Sequence, residues 1–312
     1  MELRQLRYFV TVVEEANFTR AAARLHVAQP GVSAQIGQLE RELGQRLLDR
    51  SGRAVTPTEV GAAVLPYARA ALAACEAVRE TVTEFTGLLR GRVAIGLVSG
   101  AAVHEFDMAG LLAGFHASHP EVEIALTEDT SERMLGALRA GELDIAMVGL
   151  AEEGPLPGLT LRLVVDEPLV VAVAPGDVLA REDGELPVSA LRGRRLICLP
   201  RGTGVRGVLD RLCGEADFTP QVAFEAAAPQ LLARLAERGL GVAVVPGGPE
   251  EAAGSSALRL RPLSDPRARG RVALAWRTGG PSAPAARALL EVLREAVPVP
   301  DGAPTDFRPR LT

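Results

Sequence analysis

The chain has 312 residues, 47% of them hydrophobic, with a mean hydropathy of +0.15, which is enough to bury two or three cores and too apolar for a disordered chain. Its net charge of −5 argues against a protein that coats nucleic acid without regard to sequence, and its 34 basic residues are all arginine. Cys75, Cys198 and Cys213 are an odd count without Cys-x-x-Cys spacing, so neither a disulfide framework nor a zinc site is indicated, and no metal or cofactor is expected.

In chain order, Leu6, Phe9, Val10 and Val13 recur at helical spacing and predict a first amphipathic helix. Residues 18–43 then read as two short helices joined by a tight turn. The first covers residues 19–25, where Ala21, Ala22 and Ala23 let a second helix cross closely, and His26, Val27 and Ala28 form the turn. The second opens at Gln29 and Pro30, because proline fits a first helical position whose N–H would be unpaired anyway. Val32, Ile36, Leu39 and Leu43 form its apolar stripe and Gly44 its C-cap. Pro30, Ala34, Gly37, Gln38 and Arg41 lie opposite, a small-to-polar face that can enter a major groove without being uncovered first. Any surface pair of helices would share this pattern, so the flanks decide. Residues 47–50, Ser51-Gly52 and residues 53–55 read as a short hairpin with glycine in the turn, which makes three helices followed by a wing. Arg50 and Arg53 would sit on that wing, within reach of phosphates or a minor groove. Residues 17–53 hold six arginines against three acidic residues, so the positive charge is local on an acidic body.

This part resembles the amino-terminal domain of LysR-type transcriptional regulators, from Leu3-Arg4-Gln5-Leu6-Arg7-Tyr8-Phe9 through Phe18-Thr19-Arg20-Ala21-Ala22, Gln29-Pro30, Ser33, Gln35-Ile36, Leu39-Glu40 and Leu43-Gly44 to Thr58-Glu59 and Gly61. The resemblance implies an α-rich winged helix-turn-helix DNA-binding domain over residues 1–58, with its motif at 18–37. The DNA-binding residues it implies are Gln29, Pro30, Gly31, Ser33, Ala34, Arg50 and Arg53. Ala34 and Gly37 stand where relatives often carry basic residues, and Leu48 replaces a common phenylalanine. The first departure removes phosphate or guanine contacts from the recognition helix.

Residues 56 to about 89 read as one long helix with Thr56 or Thr58 as N-cap, and Thr58 is preferred because it matches the family position. Val64, Ala68, Leu72, Cys75, Val82, Phe85 and Leu89 lie near one stripe, too long for a small domain to cover alone, and Pro66 should kink the first turns. The stripe suits a spacer packed on its own chain or, as the resemblance implies, a linker and dimerisation helix over residues 59–89 that sets two recognition helices on two half-sites.

After Gly91, apolar β-rich runs at 93–98, 122–127, 143–148, 161–165, 169–174, 196–199, 222–225, 242–245 and 271–276 alternate with amphipathic helices at 109–118, 132–140, 205–215, 229–238 and 285–296. Strands covered by helices on both faces mean an α/β architecture. The order fits an effector-binding domain at 91–300 made of two Rossmann-like subdomains, 91–164 with 268–300 and 165–267, followed by a loose tail at 301–312. It resembles the effector domain of the same regulators, whose fold is that of type 2 periplasmic binding proteins. That likeness rests on Gly91-Arg92-Val93, Ile95-Gly96, His119-Pro120, Gly141-Glu142-Leu143-Asp144 and Gly239-Leu240-Gly241-Val242-Ala243 with Pro246.

A ligand in such a fold belongs between the subdomains, at the carboxyl ends of strands and the amino ends of helices. The candidate effector-binding residues there are Ser99, Gly100, Ala101, Thr130, Gly149, Arg201, Gly202 and Thr203, and the segment from Arg201 is best suited to hold an anion such as a carboxylate. Ser99, Thr130 and Thr203 serve equally well as helix caps, and Glu128 and Asp129 would oppose an anion or receive an amine, so the sign of the ligand stays open. Two other functions compete. An α/β enzyme has only His104, His116 and His119 in this body, with no nucleophile elbow, P-loop or metal-ligand spacing, so no catalytic residue is assigned. A thiol-based redox regulator would use Cys198 and Cys213. The favoured expectation is a regulator that binds double-stranded promoter DNA sequence-specifically, as a homodimer or homotetramer through the linker helix and effector domains, under control of a small-molecule effector. With no signal peptide before the first helix and no apolar run of about 18 residues, a soluble cytoplasmic protein without a membrane partner is expected.

Overall fold

The computed structural model describes residues 1–52, 54–84, 89–98, 107–152, 154–181, 183–247 and 258–297. Helices α1 (Leu3–Glu15), α2 (Phe18–Arg24) and α3 (Gln29–Leu43) enclose one core around Leu6, Phe9, Ala21, Val32, Ile36 and Leu39. Asn17 caps α2, its Oδ1 accepting from the N–H groups of Thr19 and Arg20 at 2.8 and 3.0 Å. His26 makes the turn with φ at 54°, and Gly44, at 69°, closes α3. Leu43, expected in the buried stripe, is exposed, because the core beneath α3 ends at Leu39.

The wing differs from the expected hairpin. Strands β1 (Leu48–Asp49) and β2 (Thr56–Pro57) pair antiparallel, so the return strand starts after residues 53–55. The reason is local: Asp49 Oδ1 turns back to accept the Ser51 N–H at 2.9 Å, and the Val55 N–H donates to Ala16 at 2.9 Å. Those bonds draw the chain to the α1–α2 junction before it can pair. Arg53 lies outside the described residues.

Helix α4 (Glu59–Glu84) starts at Thr58, whose Oγ1 accepts the Gly61 N–H at 3.0 Å and donates to the Arg46 carbonyl at 2.7 Å. Gly61 is required, since a Cβ there would stand 2.0 Å from the Leu47 oxygen. The helix stays helical through Pro66. Val64, Leu65, Ala68 and Leu72 cover the first core, so the near half of the stripe packs on its own chain, while Tyr67 and Val78 are 78% and 66% exposed. Phe85 lies outside the described residues, as does the Val82 side chain. By length and composition alone, Glu59–Val78 is apolar enough to cross a membrane. Its uncovered face also suits a partner helix.

The rest is one sheet with helices on both faces. Strands β3 (Gly91–Leu97), β4 (Val122–Glu128) and β5 (Ile145–Leu150) are joined through α5 (Met108–Ser118) and α6 (Ser131–Ala140). After β6 (Leu159–Val173) come β7 (Arg195–Cys198), α7 (Gly204–Glu215), β8 (Gln221–Glu225), α8 (Pro229–Glu237), β9 (Val242–Pro246), β10 (Arg259–Pro262), β11 (Arg269–Arg277) and α9 (Pro284–Ala296). The strand order is β4-β3-β5-β11-β6-β9-β7-β8, with β10 on β6. Each half of this sheet has a buried cluster on either face, as an α/β architecture demands.

Strand β6 joins the halves, pairing with β11 first and then with β9 and β10. The two strands expected at 161–165 and 169–174 are therefore one. Asp166, Glu167 and Pro168 stay extended because β11 runs beside them and supplies Arg269 and Arg271 to the Asp166 carboxylate, the latter at 3.1 Å. Strand β10 was not expected, for Arg-Leu-Arg-Pro reads as polar. Arg261 is nonetheless buried, donating to the carbonyls of Gly184 and Leu179 at 2.5 and 2.8 Å. Ser99, Gly100, Ala101 and His104, and the tail at 301–312, lie outside the described residues.

Candidate nucleic-acid interface and inter-subdomain seam

Helix α3 presents Gln29, Pro30, Gly31, Ala34, Gln38 and Arg41 to solvent, with Ser33 and Gly37 half-buried among them. Apart from the adjoining residues and the helix's own backbone, no atom lies within 4 Å of where a Cβ would stand on Gly31 or Gly37, so this face is open. A helix with so low a surface can approach base edges closely. Beside it, Arg50 is engaged within the protein. Its guanidinium donates to Glu40 Oε2 at 3.1 Å and to Ser33 Oγ at 3.4 Å, and stands 4.8 Å from the centre of the Phe18 ring. Glu40 Oε1 accepts the backbone N–H groups of Leu47 and Leu48 at 3.0 and 3.2 Å. One carboxylate of α3 thus fixes both the root of the wing and the arginine that follows. Sequence reasoning missed this role of Glu40; its signal was an acidic residue inside a locally basic segment. Arg24 is also paired, with Glu14 at 2.9 Å and Glu15 at 3.1 Å.

The described candidates in the α/β body meet at a seam. Thr130 caps α6, accepting the Arg133 N–H at 3.5 Å, while Ser131 Oγ accepts the Gly149 N–H at 2.8 Å and the Glu132 N–H donates to the Gly202 carbonyl at 3.1 Å. Gly202, with φ at 83°, lies so close that a Cβ would stand 3.3 Å from Thr130 Cβ. At the start of α7 the approach is tighter still: a Cβ on Gly204 would stand 2.4 Å from the Gly149 carbonyl carbon, and one on Gly207 2.5 Å from Ala151 Cβ. Thr130, Gly149 and Gly202 are therefore brought together, Gly202 against the Thr130 side chain and Gly149 against the Ser131 hydroxyl and the backbone of Gly204. Thr203 is not aimed into the seam, for its hydroxyl donates to the Pro200 carbonyl at 2.7 Å, and Arg201 is exposed. The hydroxyls of Thr130 and Ser131 and the carbonyl of Gly202 are thus engaged within the seam, while Arg201, among the described residues, is not.

The far end of α6 reaches the long helix. Gly141 closes α6, and the next residue, Glu142, pairs with Arg69 of α4, which also lies 3.8 Å from Glu14 of α1. Sequence reasoning missed Arg69, whose two partners lie far away in the chain, on α1 and just past α6.

The thiols sit elsewhere in the body. Cys198 and Cys213 are fully buried, and burial pushes each thiol up to about 11, against the pull of the Arg206 guanidinium on Cys198. Arg206, 3% exposed, stands 3.6 Å from Cys198 Sγ and pairs with Asp210 at 2.9 Å and Glu225 at 2.5 Å. Its i,i+4 spacing to Asp210 was visible in the chain; Glu225, across two strands, was not. His119 packs on the Phe115 ring at 4.9 Å. Among the described residues no group of three or more His, Cys, Asp or Glu is placed to hold a metal.

Comparison with known proteins agrees along nearly the whole length. Residues 3–62 match the bacterial regulatory helix-turn-helix proteins of the lysR family, and residues 86–298 match the LysR substrate binding domain. A probable hydrogen peroxide-inducible genes activator of Mycobacterium avium is 34% identical over 88% of this chain and 87% of its own. The HTH-type transcriptional regulator ShiR of Corynebacterium glutamicum is 34% identical over 80% of this chain and 83% of its own. Among solved structures, a full-length OxyR variant from Pseudomonas aeruginosa superposes with a TM-score of 0.69 at 26% identity, covering 100% of this chain and 99% of the other.

Proposed function

The chain belongs to the LysR family of bacterial transcriptional regulators, and on that premise we propose how its parts divide the work. Residues 1–58 bind promoter DNA, residues 59–89 join subunits into a homodimer or homotetramer together with the effector domains, and residues 91–300 answer to a small molecule in the cytoplasm. No catalytic step is assigned to it. The observation that carries the DNA reading is the open outward face of α3, where Gly31 and Gly37 have nothing above them. Gln29, Pro30, Gly31, Ser33 and Ala34 take the groove, and the wing with Arg50 and Arg53 flanks it.

The effector acts at the seam. To enter between Thr130, Gly149 and Gly202, beside exposed Arg201, it must separate Gly202 from Thr130 and break the Glu132–Gly202 hydrogen bond; Ser99, Gly100, Ala101 and Thr203 are kept as candidates from the sequence alone. That moves the amino end of α6, whose other end sets Glu142 on Arg69 and, through Arg69, bears on Glu14 beside the DNA-reading helices. A ligand that binds the opened seam better than the closed one thereby shifts the spacing of the two recognition helices.

Relatives named for hydrogen peroxide induction raise the thiol reading. Burial of Cys198 and Cys213, with both thiols neutral near pH 7, favours a non-thiol effector instead. Mass spectrometry after mild peroxide separates the two, since oxidation at either residue would restore the redox reading. The central test is footprinting of the DNA upstream of the protein's own gene, repeated with metabolites that raise its melting temperature. Ser33→Ala and Arg53→Gln should weaken protection while leaving the oligomer intact; full protection by both variants defeats the assignment of the DNA face.

A further inference from the structure

Three observations converge on Arg50. Its positive charge is matched by Glu40, a carboxylate whose side chain is only 13% exposed and whose second oxygen already holds the backbone of Leu47 and Leu48. Its guanidinium also lies over Phe18, the first residue of α2. One N–H of its Nη1 points at Ser33 Oγ, 3.4 Å away on the outward face of α3. A planar guanidinium held from three directions has one orientation. The Arg50 side chain is still 41% exposed, and swinging the guanidinium out toward a phosphate would lengthen its bonds to Glu40 and Ser33 and lift it off Phe18, so these contacts and a phosphate compete for its position.

We propose that Arg50 is a positioning residue for the recognition helix and makes no contact with the DNA backbone. With Glu40 it forms a bracket that fixes the wing against α3. It also sets the polarity of Ser33: an N–H from Arg50 occupies a lone pair of the hydroxyl oxygen, so the hydroxyl proton turns away from the cation and toward the groove. Ser33 then donates, and its partner on DNA is an acceptor, such as guanine O6 or N7, adenine N7, thymine O4 or a phosphate oxygen. The inference rests on α3 being the DNA-reading helix.

The test measures affinity against salt concentration, for the footprinted operator and for a random duplex, with the full-length protein and the variants Arg50→Gln, Arg50→Lys, Glu40→Gln and the Arg50→Gln/Glu40→Gln pair. As a bracket, R50Q and E40Q each weaken operator binding by about tenfold, and the pair is no worse than the poorer single variant. R50K, which keeps the charge and loses the fork, behaves like R50Q. Random-duplex binding and the salt slope stay as in the wild type. A phosphate contact gives the opposite pattern: R50Q flattens the salt slope by about 0.9, R50K binds like the wild type, and E40Q tightens binding by releasing the cation. Any of those three results overturns the proposal. A wild-type protein that protects no DNA overturns the DNA-reading role itself, before any variant is made, and this inference with it.

Discussion

The glycines of α3 and those of the seam are the same residue put to opposite uses. On α3, a Cβ on Gly31 or Gly37 would meet nothing within 4 Å beyond the adjoining residues and the helix's own backbone, and the surface these glycines lower waits for something else to fill it. At the seam, the missing side chains of Gly149, Gly204 and Gly207 are what allow β5 and α7 to touch at all. The first surface is ready for its partner as it stands. The second is satisfied by its own chain, so under the proposed function a ligand entering there must replace the contacts it breaks, and only its surplus affinity for the open arrangement appears as a response.

The largest expected effect breaks that contrast at the seam. Gly204→Ala puts a Cβ where the Gly149 carbonyl carbon would be 2.4 Å away, and overpacking of this kind costs about 1–3 kcal/mol. The melting temperature should fall by roughly 2–10 °C. A ligand found by thermal shift should then raise it further than in the wild type, because part of the opening cost is already spent. An unchanged melting curve would mean that α7 and β5 are not in contact in solution.

Next comes a cation on the open face. Ala34→Arg should tighten operator binding by about tenfold and steepen the salt slope by about 0.9, if the exposed side of α3 meets phosphate or guanine. Affinity and slope both unchanged would place the DNA on another side of the helix. Smaller again is Gly37→Ala, which adds a methyl into empty space on an exposed helix. It should stabilise the chain by about 0.5–1 kcal/mol and leave DNA affinity alone. Loss of operator binding without loss of stability would show that DNA approaches the backbone at Gly37 itself.

These sites were not equally legible in the chain. The caps that frame α3 and α4 were, because Pro30, Gly44 and Thr58 act within three or four residues of themselves. Strand β6 was misread as two because what keeps Asp166 extended is Arg269 and Arg271, about a hundred residues away. The same limit applied at the sites. Thr130, Gly149 and Gly202 could be placed near one another from strand ends and helix starts, but the closure of the seam is a matter of backbone distances that no local pattern encodes. Arg50 could be put on the wing, while its partners Phe18 and Glu40 could not be named, since a single arginine in a loop has many carboxylates within reach.

The smallest effect uses the absence of lysine. Without it, cysteine, tyrosine and the amino terminus dominate proton release between about pH 8 and 11, against a background that most proteins do not offer. Cys198 and Cys213 keep their protons in the folded chain up to about 11, whereas thiols of the unfolded chain release theirs near the ordinary value of 9.0. The stability this contributes is whole below pH 9 and is lost as pH rises toward 11, because the unfolded state then binds fewer protons than the folded one. Urea melts at pH 8 and pH 10 should therefore show a drop that the variant with both Cys198→Ala and Cys213→Ala shows to a lesser degree. Alkylation of the dissociated subunit sharpens the point, for Cys75, half-buried in the single chain, should then react at pH 8 while the other two wait for unfolding. Native labelling of Cys198 at the rate of Cys75 would make the interior of α7 as accessible as the linker helix, and would return the thiol chemistry that burial argues against.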